Sequence, residues 1–524
     1  MYPEIISELR RALPAQLPPF LVARRWFGGK ARQILGVEIA DAIPVSSDET
    51  KAVVLVVVVK YLEGADETYS IPFVRTAKMS GESRTGATLK VEMADGSVLA
   101  FEDAFPRPQF LAELLNIIEQ EGETQGEKGR LRGSRTAAFT ELLAASDAAE
   151  PKPLTGEQSN SSAVYGNRLI LKFFRRFEQG ENPDLEIGRF LTERARFPHV
   201  PRIAGYIEYE LKSGTPATQA ILQEFVANWG DAWRYALKTL NAFYERCGDA
   251  NQQNEVGVSE DLPEFAGEPM GRLLQETGLL GKRTAELHLA LSSERDDPAF
   301  APEPFTMEFQ NSLETSFVEL TTRTFGLLRA RMSNVPAEYK DKSTAIAARE
   351  QDIVRRFQTA LSAPIEAMRA RIHGDYHLGQ VLYTGSDFVI IDFEGEPARP
   401  LAERRIKQSP LQDVAGMLRS FHYAAFAPLL APSTGQFISR SPIANIGRWA
   451  EAWSRCAANR FLGQYYETSG AAPFLPAGSQ ARAKLLEVYL LAKAVYELGY
   501  ELNNRPAWVG IPLEGISRLL SSRG

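Results

Sequence analysis

The chain has 524 residues, enough for about three domains of ordinary size, each with its own hydrophobic core. Hydrophobic residues make up 44% of the composition and charged residues 24%, which excludes a wholly disordered, collagen-like or coiled-coil protein. The 59 basic residues are outnumbered by 66 acidic ones, and a net charge of −7 gives no general attraction for nucleic acid or an anionic membrane. We therefore expect neither as a partner.

The cysteine content and the hydropathy pattern both favour a cytoplasmic protein. Cys247 and Cys456 are too few for a zinc or iron–sulfur centre, and the lack of a CxxC motif fits a reducing compartment. The first residues, MYPEIISELRRAL, lack the apolar core of a secretory signal. The longest strongly apolar run, residues 52–59, falls short of the roughly 18 residues of a membrane-spanning helix. Its β-branched content predicts a buried strand instead.

The first 150 residues are predicted to contain mainly β-structure. Residues 1–90 combine a short amphipathic helix with strand-like segments such as VVLVVVV and YSIPFV. The following segment predicts a hairpin around Asp95-Gly96 and then a helix over LAELLNIIEQ. The stretch EGETQGEKGRLRGSRT has no apolar periodicity, so we expect a mobile loop or insertion within residues 121–150.

The rest of the chain changes from strands to helices. Residues 157–226 alternate between strands and one helix, and beyond Trp229 apolar residues recur with helical spacing. The exception is residues 371–396, where two short strands are joined by a Thr-Gly-Ser-Asp turn. The pattern predicts an α+β protein with a β-rich N-terminal unit, a β-rich lobe and a helical lobe, at residues 1–90, 91–226 and 227–524. A cleft between two such lobes is a usual place for a small ligand.

The stretch HGDYHLGQVLYTGSDFVIIDFEGEP contains the residues that point to a reaction. Asp375 lies in its predicted loop, Gln380 follows five residues on, and Asp392 and Glu394 follow its second strand. Phosphoryl transfer needs a carboxylate that accepts the proton of the attacking hydroxyl and oxygen ligands that hold Mg²⁺ on the nucleotide phosphates. The hairpin would bring Gln380 and Asp392 together at the metal and leave Asp375 facing the acceptor. The pattern therefore predicts phosphoryl transfer from a nucleotide whose phosphates are held by Mg²⁺.

The same residues resemble the catalytic loop of known kinases. HGDYHLGQ followed by DFE is similar to the H-x-D-x-x-x-x-N loop and D-F-x segment of protein kinases, and closer to the HGD-x-H variant of aminoglycoside-phosphotransferase-like kinases. The resemblance implies that Asp375 is the catalytic base and that Gln380 and Asp392 bind Mg²⁺. It also implies that Glu394 is a further metal ligand and that His377 orients the loop or contacts the sugar. Gln380 departs from the asparagine that most of these kinases carry.

A kinase-like fold also implies a nucleotide site earlier in the chain. Lys172 lies in the apolar segment RLILKFF, and Glu186 follows on a helix, where such kinases place the partner of the lysine. A small polar turn before the strand would contact the phosphates through Ser159, Asn160 and Ser161. The G-x-G-x-x-G motif is absent, so short polar side chains and backbone N–H groups would replace it.

Longer motifs resemble one family, the bacterial maltokinases, over nearly the whole chain. They are RWFGGKAR, EQSNSS with KFFRR, HGDYHLGQVL, DFEGEPARPLAERRIKQSPLQDVAGMLRSFHYAA and YELGYELNNRPAWVGIPL. This family also occurs as the kinase module of trehalose synthase fusions. The resemblance implies a bilobal protein-kinase-like fold with an extra N-terminal cap, and ATP-dependent phosphorylation of maltose to maltose 1-phosphate for α-glucan synthesis. It further implies a functional link to trehalose synthase and a maltosyltransferase.

Sugar recognition needs aromatic faces and polar side chains that bond to hydroxyl groups. Two helical segments within the resemblance supply such side chains. The candidates are Asp413, Arg419, Tyr423, Glu497, Tyr500 and Trp508. Asp413 and Glu497 are the stronger candidates, because a carboxylate on an otherwise apolar helix must find a partner.

Two alternatives stay open at this point. The kinase core does not determine the acceptor, so glucosamine or an aminoglycoside is an alternative substrate. A strongly acidic pocket would favour an amino sugar, whereas aromatic rings with a few neutral donors would favour maltose. A nucleotide- or sugar-binding module without catalysis is the second alternative, and the presence of the base, the lysine and the metal ligands argues against it.

Overall fold

The fold divides into two compact units, Met1–Val226 and Ala227–Gly524. The computed structural model describes residues 2–46, 51–76, 88–93, 96–144, 150–154, 159–212, 214–249, 267–397, 399–430 and 443–521. The first unit contains two antiparallel sheets, and the second is mainly helical. The predicted α+β class is therefore confirmed.

The first unit begins with a helix and a five-stranded sheet. These elements are α1 (Tyr2–Val22), β1 (Ile34–Ser46), β2 (Lys51–Tyr61), β3 (Glu67–Thr76), β4 (Leu89–Glu92) and β5 (Val98–Asp103). The sheet order is β1-β2-β3-β5-β4, and β2 contains the predicted apolar run. Val53, Leu55 and Val57 pack in the core that includes α1, while Val54 and Val56 pack in a second core. A strand that is buried on both faces has apolar residues at successive positions, which explains the continuous run.

The hairpin of β4 and β5 belongs to this first sheet. The two strands pair antiparallel, as the sequence predicted, and Asp95 in the predicted turn lies outside the described residues. The first sheet therefore extends to Asp103, and the boundary predicted at residue 90 falls inside β4.

A seven-stranded sheet with three short helices completes the first unit. Its elements are α2 (Pro108–Glu119), β6 (Glu123–Gln125), β7 (Gly129–Arg135), α3 (Phe139–Ala144), β8 (Lys152–Pro153), β9 (Ser161–Tyr165), β10 (Leu169–Phe173), α4 (Pro183–Arg189), β11 (Ile203–Leu211) and β12 (Ala217–Glu224). The strand order is β6-β7-β11-β12-β10-β9-β8. The strands and the helix predicted over residues 157–226 are confirmed.

The prediction of a mobile loop is wrong for residues 121–136, because they form β6 and β7 at the edge of this sheet. Strand β7 pairs with β11 along its whole length. Its inward positions include Gly129 and Gly133, and its outward Arg130 donates to Glu210 with an Nε–Oε2 distance of 2.8 Å. The stretch lacks an apolar alternation because glycines take inward positions, and this hid the strand from a hydropathy pattern.

Gly133 is needed where β7 passes close to α2. A Cβ atom at this position would lie 2.0 Å from the carbonyl oxygen of Ile117. We expect Gly133→Ala to lower the free energy of unfolding by about 1–3 kcal/mol, because a backbone atom cannot move aside as a flexible side chain can. Urea denaturation tests this against Gly36→Ala in β1, where a Cβ would meet nothing within 4 Å. Equal midpoints for the two variants would contradict the prediction.

The second unit is built mainly from helices. They are α5 (Ala232–Asp249), α6 (Gly267–Leu291), α7 (Met307–Ala330), α8 (Lys340–Ala347), α9 (Glu350–Leu361), α10 (Leu401–Arg404), α11 (Leu411–Leu430), α12 (Ile443–Ser469), α13 (Ser479–Asn504) and α14 (Gly510–Ser521). Two short antiparallel pairs join β13 (Glu303–Pro304) to β14 (Met368–Arg369) and β15 (Val381–Tyr383) to β16 (Phe388–Ile390). Within the described residues, every helix is too short or too polar to cross a bilayer.

Candidate functional site

The predicted hairpin forms and joins two of the candidate metal ligands. Strands β15 and β16 are antiparallel, with Tyr383 opposite Phe388 next to the turn. Residues just outside the open end of an antiparallel pair are neighbours in space. Accordingly, Gln380 Nε2 donates to Asp392 Oδ2 at 3.0 Å. The structure brings these two side chains together as the sequence predicted.

Asp392 has a backbone conformation that few side chains adopt. Its φ angle is +68°, in the left-handed region that aspartate tolerates better than most residues. Such conformations are concentrated at functional sites. The carboxylates of Asp392 and Glu394 are both half-buried, and with the amide of Gln380 they offer oxygen atoms of the kind that Mg²⁺ prefers. The donor set therefore fits a Mg²⁺ ion.

Asp413 anchors the loop that carries Asp375. Its side chain lies on α11 and is almost fully buried. Oδ2 accepts from the backbone N–H of His373 at 2.7 Å and lies 3.2 Å from His288 Nε2, and Oδ1 accepts from the backbone N–H of Gly374 at 2.9 Å. Both of its oxygens are engaged by groups of the protein, and the role of Asp413 in sugar binding stays a prediction.

Asp413 stays ionised despite its burial. Burial on its own raises the pKa of this carboxyl, but the hydrogen bond and charge of His288, the charge of His373 and the N–H of Gly374 together bring the pKa below its usual value. The carboxylate is thus a fixed negative charge beneath the loop.

The loop also lies directly against α11. A Cβ atom at Gly416 would lie 2.5 Å from the carbonyl oxygen of Tyr376. The Tyr376 side chain is buried, and its hydroxyl forms a hydrogen bond with Thr284 Oγ1 at 2.9 Å. Asp375 therefore projects from a backbone that is fixed by contacts on both sides.

Asp375 lies beside two basic side chains. His377 Nε2 is 3.9 Å from its Oδ2, and Lys493 Nζ of α13 is 3.8 Å from its Oδ1. Asp375 and Lys493 line a cavity of about 110 Å³. Other charged or aromatic residues of its wall are Phe317, Tyr376, Glu396, Arg399, Asp413, Tyr489 and Tyr496. Lys493 was not among the residues predicted from the sequence, although a cation among the apolar residues of α13 is a signal that points to it.

His377 is held in one orientation by the backbone. Its Nδ1 accepts from the N–H of Gly379 at 3.0 Å. Burial lowers the pKa of His377, Asp375 opposes this shift, and Lys493 adds to it. The imidazole is therefore mainly neutral at neutral pH, with Nε2 on the side of Asp375.

Three of the predicted sugar contacts lie in a buried helix–helix contact. Arg419 Nε donates to Glu497 Oε2 at 2.8 Å, and this pair joins α11 to α13. The hydroxyl of Tyr423 donates to Glu501 Oε1 at 3.1 Å. These buried side chains connect the two helices, and a role for Arg419, Tyr423 and Glu497 in sugar binding stays a prediction.

Two predicted aromatic contacts stay predictions. The Trp508 ring stacks on Tyr423, with centroids 6.4 Å apart. Tyr500 is 46% exposed and lies on the same stripe of α13 as Lys493 and Tyr496, since residues three and four apart share a helix face. Of these two aromatic residues, Tyr500 is the one that extends the row formed by Lys493 and Tyr496, which line the cavity.

In the first unit, Lys172 of β10 is paired with a carboxylate of α4. Its Nζ lies 2.9 Å from Asp184 Oδ2. Asn182 caps α4 by accepting from the Asp184 N–H at 2.9 Å. The sequence predicted Glu186 as the partner of Lys172 and did not point to Asp184. Both carboxylates are buried on this helix. Roles for Lys172 and Glu186 in nucleotide binding stay predictions.

The predicted phosphate turn lies at the start of β9. Ser159 and Asn160 precede the strand, and Ser161 is its first residue. Ser161 Oγ accepts from Arg175 Nε at 2.8 Å, and the buried Arg175 also pairs with Asp103 at 2.9 Å. Ser161 therefore helps to hold Arg175, and phosphate contacts from the turn stay predictions.

The RWFGGK segment, residues 25–30, links the N-terminal sheet to the end of β10. The Phe27 ring is buried and lies 5.1 Å from the ring of Tyr69. The guanidinium of Arg175 lies 5.0 Å from the ring of Trp26. These contacts give the segment a structural role close to the strand that carries Lys172.

Comparisons with known proteins agree with this architecture. Residues 20–97 match the family described as Maltokinase N-terminal cap domain. The glucosamine kinase of Streptacidiphilus jiangxiensis is 24% identical over 382 residues, which are 71% of this chain and 75% of the relative. The glucosamine kinase of Mycolicibacterium smegmatis is 26% identical over 391 residues, which are 73% of this chain and 83% of the relative.

Solved structures extend the comparison to the whole fold. A structure of glucosamine kinase in complex with glucosamine, ADP and inorganic phosphate has a TM-score of 0.62 at 18% identity and covers 96% of this chain and 97% of its own. A second crystal form of glucosamine kinase has a TM-score of 0.64 at 17% identity, with the same coverage. These similarities confirm the predicted kinase-like fold.

Proposed function

We propose that this chain, a member of the superfamily of small-molecule kinases that includes the maltokinases, transfers the γ-phosphoryl group of ATP to a hydroxyl of a sugar. The observation that carries the proposal is the geometry of Asp375. Its carboxylate projects from a fixed loop into a cavity, five residues before the first member of the Gln380–Asp392 pair. The two relatives named as sugar kinases support the acceptor class.

Five of the candidate residues have a defined task in this reaction. Asp375 orients the acceptor hydroxyl and accepts its proton, and Lys172 contacts the nucleotide phosphates. Gln380, Asp392 and Glu394 would hold Mg²⁺ through oxygen atoms, and a bound ion would supply positive charge that neutralises the nucleotide phosphates. Direct in-line transfer of this kind needs no phosphorylated side chain.

We propose maltose as the acceptor and its anomeric hydroxyl as the site of phosphorylation. The match of residues 20–97 to the maltokinase cap supports this choice. The cavity beside Asp375 also supports it, because Lys493 and Arg399 offset two of its three carboxylates, whereas an amino sugar would be favoured by a strongly acidic wall. Glucosamine is the second candidate, favoured by the relatives that bear its name.

A coupled assay of ADP release tests the proposal. Mg·ATP is supplied with maltose, glucose, glucosamine, trehalose or kanamycin, and phosphorus NMR locates the new phosphate. We expect selective turnover of maltose with an anomeric phosphate as product. Turnover of glucosamine instead would replace maltose by the second candidate. Stabilisation by ATP without ADP release from any acceptor would favour a binding module and contradict the kinase.

A further inference from the structure

Lys493 places a positive charge beside the proposed catalytic base, and none of the tasks assigned above uses it. Its half-buried side chain extends from α13, with Nζ 3.8 Å from Asp375 Oδ1 and 5.0 Å from the centre of the Tyr496 ring. The distance to the carboxylate is longer than a hydrogen bond. The contact is therefore electrostatic, and the ammonium can turn an N–H group toward a molecule in the cavity.

Five charged side chains line this cavity: the carboxylates of Asp375, Glu396 and Asp413, and the cations of Arg399 and Lys493. Burial raises the pKa of Tyr496, and the charge and hydrogen bond of Glu396 raise it further, so this hydroxyl stays neutral beside Glu396. Asp413 lies beneath the loop and is engaged by backbone N–H groups. Each carboxylate of the described wall thus has a partner within the protein: Lys493 lies beside Asp375, backbone N–H groups engage Asp413, and Tyr496 bonds to Glu396.

An acceptor whose hydroxyl reaches Asp375 must come within a few ångströms of Lys493. A sugar hydroxyl can accept a hydrogen bond from the ammonium. A second ammonium on the acceptor would be repelled, since like charges at such distances interact strongly in a partly buried site. The two kinds of acceptor thus respond in opposite ways to the same side chain.

We propose that Lys493 selects a neutral sugar by donating to one of its hydroxyls and excludes a cationic amino sugar by repulsion. The inference rests on the proposed function, because it takes the cavity beside Asp375 as the acceptor site. The competing role is structural: Lys493 would tie α13 to the loop and would affect every acceptor equally. The preference between a neutral and a cationic sugar therefore separates the two roles.

The test compares glucose with glucosamine, which differ only in having a hydroxyl or an amino group at one ring carbon. Calorimetry measures the binding of both sugars and of maltose to the full chain with Mg·ADP at neutral pH, and steady-state assays give kcat and KM. We expect the wild type to bind glucose about tenfold more tightly than glucosamine, which corresponds to about 1.4 kcal/mol. Lys493→Met should bring this ratio close to one and raise KM for maltose, and Lys493→Arg should restore the preference. Lys484→Met, an exposed lysine of the same helix, should keep the wild-type ratio.

Each alternative outcome has a distinct meaning. The selection by Lys493 is overturned if Lys493→Met weakens the binding of glucose and glucosamine equally, or if the wild type shows no preference between them. The kinase proposal stays intact in either case if ADP is still released with maltose as acceptor. If the wild type binds none of glucose, glucosamine and maltose, the selection by Lys493 is overturned as well. A preference that depends on Lys493, without ADP release from any sugar, supports the selection and overturns the proposed kinase.

Discussion

Asp375→Asn is expected to lower kcat by about 10²–10⁴-fold with every sugar that the enzyme accepts. Asparagine has nearly the same shape as aspartate, but its amide cannot take a proton from the attacking hydroxyl at neutral pH. The loop backbone is held by Asp413 and Gly416, neither of which the substitution changes. Binding of Mg·ATP, measured by calorimetry, and the melting temperature should therefore stay close to those of the wild type.

The matched control is Asp341→Asn, at an exposed position of α8 outside the cavity. It makes the same chemical change and should leave kcat as it is. Unchanged turnover in Asp375→Asn would remove this residue from the mechanism. A similar loss in both variants would show that the effect does not come from the cavity.

The hairpin near the candidate site could be predicted because its information is local. The Thr-Gly-Ser-Asp turn and two short apolar runs determine which residues pair, and the pairing then brings Gln380 next to Asp392. The buried strand β2 could equally be predicted, from its long apolar run. Its composition alone indicated burial on both faces, and no knowledge of its neighbours was needed.

The partners of the buried charges could not be predicted from the sequence. A carboxylate on an apolar helix must be paired, and this holds for both Asp413 and Glu497. Their partners within the protein are backbone N–H groups 39 and 40 residues away and an arginine 78 residues away. Which of these satisfies a given charge depends on how helices pack over long distances in the chain, and helical periodicity carries no such information.

Two further features, strand β7 and the place of Lys493 beside Asp375, could not be predicted from the sequence. The inward glycines of β7 removed the apolar alternation that marks a strand, although the close approach to α2 requires Gly133. Lys493 was hidden for a different reason, since its helix matches a buried pattern and a lysine there has no assigned partner until the fold brings Asp375 within 3.8 Å.

Asp413→Ala is expected to reduce both stability and turnover, which distinguishes it from Asp375→Asn. Removing the carboxylate leaves the buried N–H of His373 and the part-buried N–H of Gly374 without their acceptor, and an unsatisfied buried group costs about 1–3 kcal/mol. The loop that carries Asp375 then loses its anchor, so we expect a fall of at least about 10-fold in kcat together with a lower midpoint in urea. A loss of stability with normal kcat would show that the anchor is dispensable for the geometry of the base.

Asp413→Asn tests the contribution of the charge through its pH dependence. The pKa of Asp413 is lowered in the folded protein, so its ionised form stabilises the fold at every pH above its usual pKa of about 3.9. That contribution is lost as the pH falls through the folded-state pKa, because the folded and unfolded forms then both carry the proton. The difference in unfolding free energy between the wild type and Asp413→Asn should therefore be largest near pH 7 and shrink below about pH 4. A difference that stays constant down to pH 3 would assign the stabilisation to the shape of the side chain, and the negative charge beneath the loop would then have no part in holding Asp375.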